Sequence, residues 1–144
     1  FNWYYENKGK FEALANLWGS VTVYGEWMVQ QHGMYYDALP DWFIPFDVYD
    51  QEADKYIDPL LAYNHLLEAG FNPIKIEKSV ANYEELEVVA NMPSNYSTNS
   101  IREGVYIKVS DGKWVTDRFK MVRQGFSQGS LFAKEMKRNK LRKE

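Results

Sequence analysis

The sequence contains no cysteine. A disulfide framework, a zinc site built on thiolates and a cysteine nucleophile are therefore excluded. The two histidines, His32 and His65, come without a matching set of ligands and do not indicate a zinc site. We interpret His32 as a turn residue and His65 as a surface or partly packed residue of a helix.

Long apolar runs are also missing. No stretch approaches the roughly 18 apolar residues that a membrane span needs, and no charged-then-apolar signal sequence opens the chain. We therefore expect a soluble, cytoplasmic protein without a membrane partner. The chain begins at Phe1, inside an aromatic stretch, and we interpret it as a piece of a longer protein.

The composition is that of a folded domain with an uneven charge distribution. The 144 residues are 45% hydrophobic and 26% charged, which fits one globular domain with a real core. From Arg118 onward nine Lys or Arg face two Glu, a charge of +7, whereas the preceding 117 residues carry −10. A basic end suits a phosphate backbone, although a solvated terminal helix is the simpler interpretation. We divide the chain into a domain at 1–129 and a basic C-terminal helix or tail at 130–144.

The first half of the chain predicts one helix and two main strands. Apolar residues at positions 11, 14, 17 and 18 form a helical stripe that stops at Gly19. Segments 21–28 and 42–49 mix β-branched and aromatic residues, so we predict both as buried strands. Their connection holds a turn at Gly33 and a short strand at 34–36.

The second half begins with the clearest helix. Asp58 as the N-cap, Pro59 in the first turn and Gly70 at the far end frame residues 60–69. Alternating polar and apolar residues predict a strand at 74–80 with one wet face. Further predicted elements are a helix at 83–89, an exposed loop at 91–100 and a hairpin of strands 103–109 and 114–122 around an Asp-Gly turn. This order predicts a mixed α+β domain with mainly antiparallel sheets and flanking helices.

Two short clusters in the first half combine charge with apolar strands. In residues 24–27, Tyr-Gly-Glu-Trp, Glu26 needs a partner or a ligand if the strand is buried, whereas on an edge strand it would face water. In residues 43–49, Phe-Ile-Pro-Phe-Asp-Val-Tyr, Pro45 marks an edge or a bulge that could present Phe46 to a cleft.

Two further clusters lie in the predicted hairpin. In residues 102–108, Glu103 and Lys108 bracket an apolar strand, and Gly104 would let a ligand approach the backbone. In residues 117–123, Arg118 and Lys120 share one face of a strand. Two cations on one face favour a nearby anion, and a phosphate is the natural one.

These four clusters, in this order, resemble motifs III, IIIa, IV and V of the covalent nucleotidyltransferases, which include RNA ligases, DNA ligases and capping enzymes. The stretch Tyr-Asp-Ala-Leu-Pro at 36–40 favours the ATP-dependent RNA ligase branch. The resemblance implies a nucleotidyltransferase (ATP-grasp-like) ligase domain that is N-terminally incomplete. It also implies ATP, with Mg²⁺ or Mn²⁺, as cofactors and RNA or DNA ends as partners.

The resemblance also assigns roles to single residues. Glu26 resembles the carboxylate that holds the nucleotide ribose, and Phe46 resembles the aromatic residue that stacks on adenine. Glu103 resembles the carboxylate that serves the divalent metal, and we count Lys108 with the nucleotide-binding residues. Lys120 resembles a lysine that contacts the α-phosphate. Arg118 stands where the family often has a second lysine, so which cation touches the phosphate stays open.

The implied reaction needs a nucleophile that these residues do not supply. In the family, a lysine of motif I takes AMP from ATP, the AMP passes to a 5′-phosphate end, and a 3′-hydroxyl displaces it. Here Lys8, directly before Gly9, fails the motif's spacing, and we interpret residues 7–9 as a polar turn. We therefore expect an upstream segment carrying motif I as a partner, and an isolated chain that is inactive.

Two alternatives stay open. A DNA ligase or a capping guanylyltransferase would carry similar motifs. A non-catalytic nucleic-acid-binding piece, or a degenerate ligase, would fit the absent motif I and a basic tail that tracks a backbone without chemistry. The tail's cations are Lys134, Lys137, Arg138, Lys140, Arg142 and Lys143.

Overall fold

The computed structural model describes residues 2–29, 36–98, 102–122 and 139–142. Its elements in chain order are α1 (Asn2–Trp18), β1 (Val21–Trp27), β2 (Phe43–Asp50), β3 (Lys55–Tyr56), α2 (Pro59–Glu68), α3 (Tyr83–Ala90), β4 (Gly104–Ser110) and β5 (Val115–Val122). Helices beside two separate sheets confirm the predicted α+β class. The chain forms two compact units. The first comprises Phe1–Glu26, Phe43–Ile76 and Lys108–Asp117, and the second comprises Trp27–Trp42, Glu77–Ile107 and Arg118–Glu144.

The core of the first unit lies between α1, α2 and the sheet. Leu14 of α1 meets Val48 of β2 and Leu66 of α2, and each is at most 1% exposed. Phe71 stacks edge-on against Phe11 with ring centroids 4.9 Å apart. Burying several large side chains at about 1.5–3 kcal/mol each is what holds these elements together. The buried members of the core are Leu14, Val48, Ile57, Ala62, Leu66 and Phe71.

Helix α2 begins and ends where the sequence predicts. The Asp58 carboxylate accepts the backbone N–H of Leu61 at 3.0 Å, and Pro59 occupies the first turn, where no N–H is needed. Gly70, with φ +99°, reverses the chain after the helix, and Phe71 N–H donates to the Leu66 carbonyl at 3.0 Å. The same Asp58 accepts the Ser110 hydroxyl, which fixes the hairpin turn against the start of α2.

The three-stranded sheet has the order β1-β2-β3, and β2 pairs antiparallel with β3. Strand β1 also runs antiparallel to β2, because Gln51 N–H bonds to the Ser20 carbonyl at one end while Met28 N–H bonds to the Trp42 carbonyl at the other. Strand β3 has only two residues and pairs with the last two of β2. Pro45 therefore lies beyond that pairing, where its missing N–H costs no sheet hydrogen bond.

Strands β4 and β5 form the predicted hairpin. Asp111 side-chain oxygen accepts the backbone N–H groups of Lys113 and Trp114 at 2.9 and 2.8 Å, and Gly112 takes a φ of +97°. At the open end, a Cβ on Gly104 would overlap the carbonyl oxygen of Met121. The backbone that approaches Gly104 is thus that of β5, so glycine here serves strand pairing.

The second unit is held together by its last described residues, 139–142. Leu39 pairs with Leu141 in a parallel bridge, and Leu39 is fully buried. Asn139 is 2% exposed, and its side chain donates to the Met28 carbonyl at 3.0 Å. Helix α3 is capped by Asn82, whose side chain accepts the N–H of Glu85 at 2.9 Å.

Three local predictions are wrong. Residues 7–9 form no turn but lie within α1, where a Cβ on Gly9 would meet no atom within 4 Å other than its chain neighbours and the nearby helix backbone. Residues 74–80 form no strand, because no strand among the described residues pairs with this segment. Ile74 and Ile76 are 42% and 39% exposed. Strand β1 is not buried, since each of its residues is at least partly exposed.

Some predictions fall where the structure gives no description. His32, the Gly33 turn and most of the predicted strand 34–36 lie outside the described residues, and Tyr36 itself is not in a strand. The predicted C-terminal helix or tail is described only at residues 139–142, which are not helical. The domain boundary at residue 129 stays a prediction.

Candidate functional site

The first unit joins two of the four clusters through Lys108. Its ammonium lies 2.8 Å from Oδ1 of Asp47 and donates to the carbonyl oxygen of Phe46. Phe46 and Lys108 are 62 residues apart in sequence. Strand β2 and the turn end of the β4–β5 hairpin therefore meet at this point within the first unit.

Asp47 is the most deeply buried charged side chain of this group. Its side chain is 4% exposed, and that of Lys108 is 16% exposed. A buried carboxylate is costly without a partner, and a lysine ammonium at hydrogen-bond distance offsets that cost. The pair fixes the backbone beside Phe46, whose own side chain is only partly buried.

Glu26 lies on β1 with its side chain exposed. Strand β1 is not buried, so Glu26 does not need the internal partner that a buried carboxylate would need. The residue before it is Gly25. A Cβ there would lie 2.6 Å from the Ile44 carbonyl oxygen, so the lack of a side chain allows β1 to pack closely on β2. Glu26 is thus presented to solvent at the end of a strand that is held tightly against its neighbour.

In the second unit, Glu103 lies directly before β4 and accepts a hydrogen bond from Tyr36. The Tyr36 hydroxyl donates to Oε1 of Glu103 at 2.6 Å. A phenol that donates to a carboxylate at this distance makes a charge-assisted hydrogen bond. It fixes one oxygen of Glu103, which is partly buried, while the carboxylate keeps further acceptor positions.

The residue before Glu103 is anchored as well. Arg102 donates to Oε1 of Glu77 at 3.0 Å and to the Pro93 carbonyl at 3.1 Å. Asn95 donates to the same Glu77 oxygen at 3.0 Å. Because Arg102 and Glu77 side chains are only 13% and 19% exposed, this network ties the backbone entering β4 to the loop that follows α3.

Arg118 and Lys120 occupy alternate positions of β5, as predicted. Arg118 is partly buried, whereas Lys120 is exposed and its ammonium lies 5.9 Å from the ring centroid of Tyr106. Tyr106 is 63% exposed, so this cation–π contact is at the surface and contributes about 0.5–1 kcal/mol. The Lys120 charge remains accessible to an anionic ligand.

The predicted residues therefore fall into two groups, each within its own unit. Phe46 and Lys108 are in direct contact in the first unit, which also holds Glu26. Glu103, Arg118 and Lys120 belong to the second unit. The second unit also holds a pocket of about 400 Å³ lined by Trp42, Asn139, Lys140 and Leu141, none of which is a predicted site residue.

Comparison with known families decides the membership of the chain. The sequence model of one family, described as RNA ligase, matches residues 1–122. The chain belongs to the RNA ligase family. No curated protein and no solved structure shows a match.

The match includes all six predicted site residues of this RNA ligase family member. The last of them, Lys120, lies just inside the matched range, whereas the whole basic tail at 130–144 lies beyond it. The membership thus rests on the segments that contain the four clusters and does not depend on the charge of the tail.

A divalent cation is compatible with Glu103. Within residues 2–29, 36–98, 102–122 and 139–142 no group of three or more His, Asp or Glu is arranged to hold a metal ion. Mg²⁺ is commonly bound through one or two carboxylates, with substrate phosphates and water completing its shell. A single carboxylate fixed by Tyr36 fits that kind of site. No helix among the described residues is long and apolar enough to cross a membrane.

Sequence reasoning missed two residues that contact the candidate site residues in this RNA ligase family member. Asp47 lies within the cluster at 43–49, and a signal was present, because an aspartate inside an apolar strand needs a cation. Tyr36 lies in the stretch at 36–40 and carries no such signal, since local sequence does not reveal a hydrogen-bond partner that is 67 residues away.

Proposed function

We propose that the chain supplies nucleotide-binding and metal-binding residues of an ATP-dependent RNA ligase. The observation that carries the proposal is the contact of Lys108 with both Asp47 and Phe46. It joins the segments that resemble motifs IIIa and IV, in a chain that belongs to the RNA ligase family. The nucleotidyltransferase fold, with its N-terminal part outside these residues, is part of the same proposal.

In this proposal Phe46 and Glu26 bind the nucleoside. The Phe46 ring stacks on adenine, and the hydrogen bond from Lys108 to the Phe46 carbonyl helps to fix the backbone that carries the ring. A base stacked on an aromatic ring gains about 1–3 kcal/mol. The exposed carboxylate of Glu26 accepts hydrogen bonds from the ribose hydroxyls, a role for which its solvent-facing position is suitable.

Three further residues are proposed to act on phosphate. Glu103 would hold Mg²⁺ or Mn²⁺, which when bound neutralises charge on the phosphate oxygens. Lys120 contacts the α-phosphate, and Arg118 adds a second fixed cation on the same strand face. Positive groups placed before the reaction lower the barrier by stabilising charge that develops in the transition state.

The whole ligase reaction has three steps. AMP passes from ATP to a lysine with release of pyrophosphate, then from the lysine to a 5′-phosphate end, and a 3′-hydroxyl finally displaces AMP to form the phosphodiester. We propose that the nucleophilic lysine lies outside the 144 residues. In support, the two lysines that precede the cluster at 24–27 both have other contacts. Lys8 is 58% exposed on α1 beside Glu12 at 3.8 Å, and Lys10 lies over the Phe71 ring at 5.9 Å.

Intact-mass measurement after incubation with ATP and Mg²⁺ tests the placement of the nucleophile. We expect no added AMP on the isolated chain and an AMP adduct on a longer protein that also carries motif I. An adduct on the 144 residues themselves would contradict the placement and make Lys8 and Lys10 the first residues to substitute.

Nucleotide and end selectivity separate the proposal from related activities. We expect the chain to bind ATP in preference to GTP, and the longer protein to seal RNA ends in preference to DNA ends. Preference for GTP would indicate a capping guanylyltransferase, and preference for DNA ends a DNA ligase. RNA binding that falls steeply with salt, without any ATP binding, would indicate a non-catalytic nucleic-acid-binding piece.

A further inference from the structure

Tyr36 is held in place from several sides within the second unit. Its backbone N–H donates to Oδ1 of Asn139 at 2.9 Å, and its carbonyl accepts the N–H of Lys140 at 2.9 Å. Its ring packs edge-on against Tyr96, with centroids 6.3 Å apart and planes at 86°. A tyrosine fixed at both backbone groups and at its ring has little freedom in where it points its hydroxyl.

That hydroxyl is directed at the carboxylate of Glu103, at 2.6 Å. Asn139, which fixes Tyr36, is itself 2% exposed and bonded through both side-chain groups, to Tyr36 and to the Met28 carbonyl. The order of contacts therefore runs from residues 139–140 to Tyr36 and from Tyr36 to Glu103. Each contact is a hydrogen bond between residues of the same unit.

We propose that Tyr36 is a positioning residue that orients the Glu103 carboxylate for a divalent cation, and that residues 139–140 hold Tyr36 in register. The inference rests on the proposed function, in which Glu103 is the metal carboxylate. Hydrogen bonds to a ligating carboxylate fix its orientation, and losing such a partner typically weakens metal binding about 10–100-fold. Because the hydroxyl binds Oε1, Oε2 would be the oxygen that holds the cation.

The test measures binding of Mn²⁺ to the chain by electron paramagnetic resonance, with and without AMP. Tyr36→Phe removes the hydroxyl and keeps the ring, so it should weaken Mn²⁺ binding about tenfold or more. Tyr83→Phe is the matched control, because Tyr83 is 63% exposed on α3 in the same unit, and it should leave the affinity unchanged. Asn139→Ala should weaken binding in the same direction as Tyr36→Phe.

A double variant separates positioning from general destabilisation. In the Glu103→Gln background the Tyr36→Phe substitution should cost no further Mn²⁺ affinity, because the carboxylate that the hydroxyl orients is gone. Thermal unfolding of each variant in parallel shows whether the fold is retained at the temperature of the binding measurement.

The outcomes distinguish this inference from the proposed function. If Glu103→Gln weakens Mn²⁺ binding but Tyr36→Phe does not, the positioning role is wrong and the metal role of Glu103 stands. Equal losses from Tyr36→Phe with and without Glu103→Gln would also overturn the positioning role. If Glu103→Gln leaves Mn²⁺ affinity unchanged, the metal role itself is contradicted, and the inference is overturned with it.

Discussion

The ammonium of Lys108 lies 2.8 Å from the carboxylate of Asp47, in a position where only 4% of the Asp47 side chain is exposed. Lys108 stands at the end of the cluster at 102–108, and Asp47 follows Phe46 in the cluster at 43–49. One buried ion pair therefore joins β2, which carries the residue proposed to stack on adenine, to β4. Together with the hydrogen bond from Lys108 to the Phe46 carbonyl, this pair fixes the backbone around Phe46.

Breaking this pair from one side should destabilise the chain. Lys108→Met keeps much of the side-chain length but leaves the Asp47 carboxylate without its ammonium partner. Removing one member of a buried pair typically costs 3–5 kcal/mol, and we expect about 3 kcal/mol here because Lys108 retains some exposure. Urea unfolding measures the change.

The matched control is the surface pair of Lys8 and Glu12, whose side chains are 58% and 63% exposed. Lys8→Met should change the free energy of unfolding by less than about 0.5 kcal/mol, since exposed pairs contribute little. If Lys8→Met and Lys108→Met changed the free energy of unfolding equally, burial of Asp47 would not add to the stabilisation by its ion pair.

Two glycines should respond to alanine in opposite directions. A Cβ on Gly104 overlaps the Met121 carbonyl, so Gly104→Ala must displace β5 and should cost about 1–3 kcal/mol. Apart from its chain neighbours and the nearby helix backbone, a Cβ on Gly9 in α1 would meet no atom within 4 Å, so Gly9→Ala should stabilise by about 0.5–1 kcal/mol. Thermal unfolding of both variants is sufficient, and stabilisation by Gly104→Ala would contradict the close strand pairing.

Asp37 should show a pH-dependent contact with the loop at Thr98. The Thr98 hydroxyl donates to Asp37 at 2.6 Å and its N–H at 2.8 Å, and these bonds lower the pKa of Asp37 from its usual 3.8. A lowered folded-state pKa means that the contact stabilises fully above the unfolded value and is lost as pH falls through the folded pKa. Carboxyl titration by nuclear magnetic resonance should place the pKa of Asp37 below 3.8.

Thr98→Val tests the cause of that shift. It removes the hydroxyl but keeps the backbone N–H, so the pKa of Asp37 should rise part of the way to its usual value. An unchanged titration would show that the Thr98 hydroxyl does not lower the pKa.

The helices and the hairpin could be predicted because their signals are local. Asp58 and Gly70 frame α2 through capping groups a few residues away, and the turn at Asp111 satisfies N–H groups two and three residues on. The failures come from the same source. Alternation at 74–80 specifies faces but not a neighbouring strand, and Gly9 alone does not stop a helix in which nothing opposes continuation.

The site was predictable only in part, for a different reason. Residue types and order identified Phe46, Glu103 and Lys108 as candidates through resemblance. The contacts that fix them join residues 62 and 67 positions apart, which only the folded chain brings together. The exposure of Glu26 likewise follows from how β1 packs, and its sequence left both a buried and an exposed position open.

The most direct test of the proposed nucleotide site is equilibrium dialysis of labelled ATP against the unsubstituted chain and Phe46→Ala. Phe119→Ala is the control, because Phe119 is 55% exposed on β5 and has no proposed contact with adenine. We predict that Phe46→Ala weakens ATP binding by about 1–3 kcal/mol, the free energy of one stacked base, while Phe119→Ala binds as the unsubstituted chain does. Equal ATP affinity of Phe46→Ala and the unsubstituted chain, with both folded, would contradict the proposed adenine site.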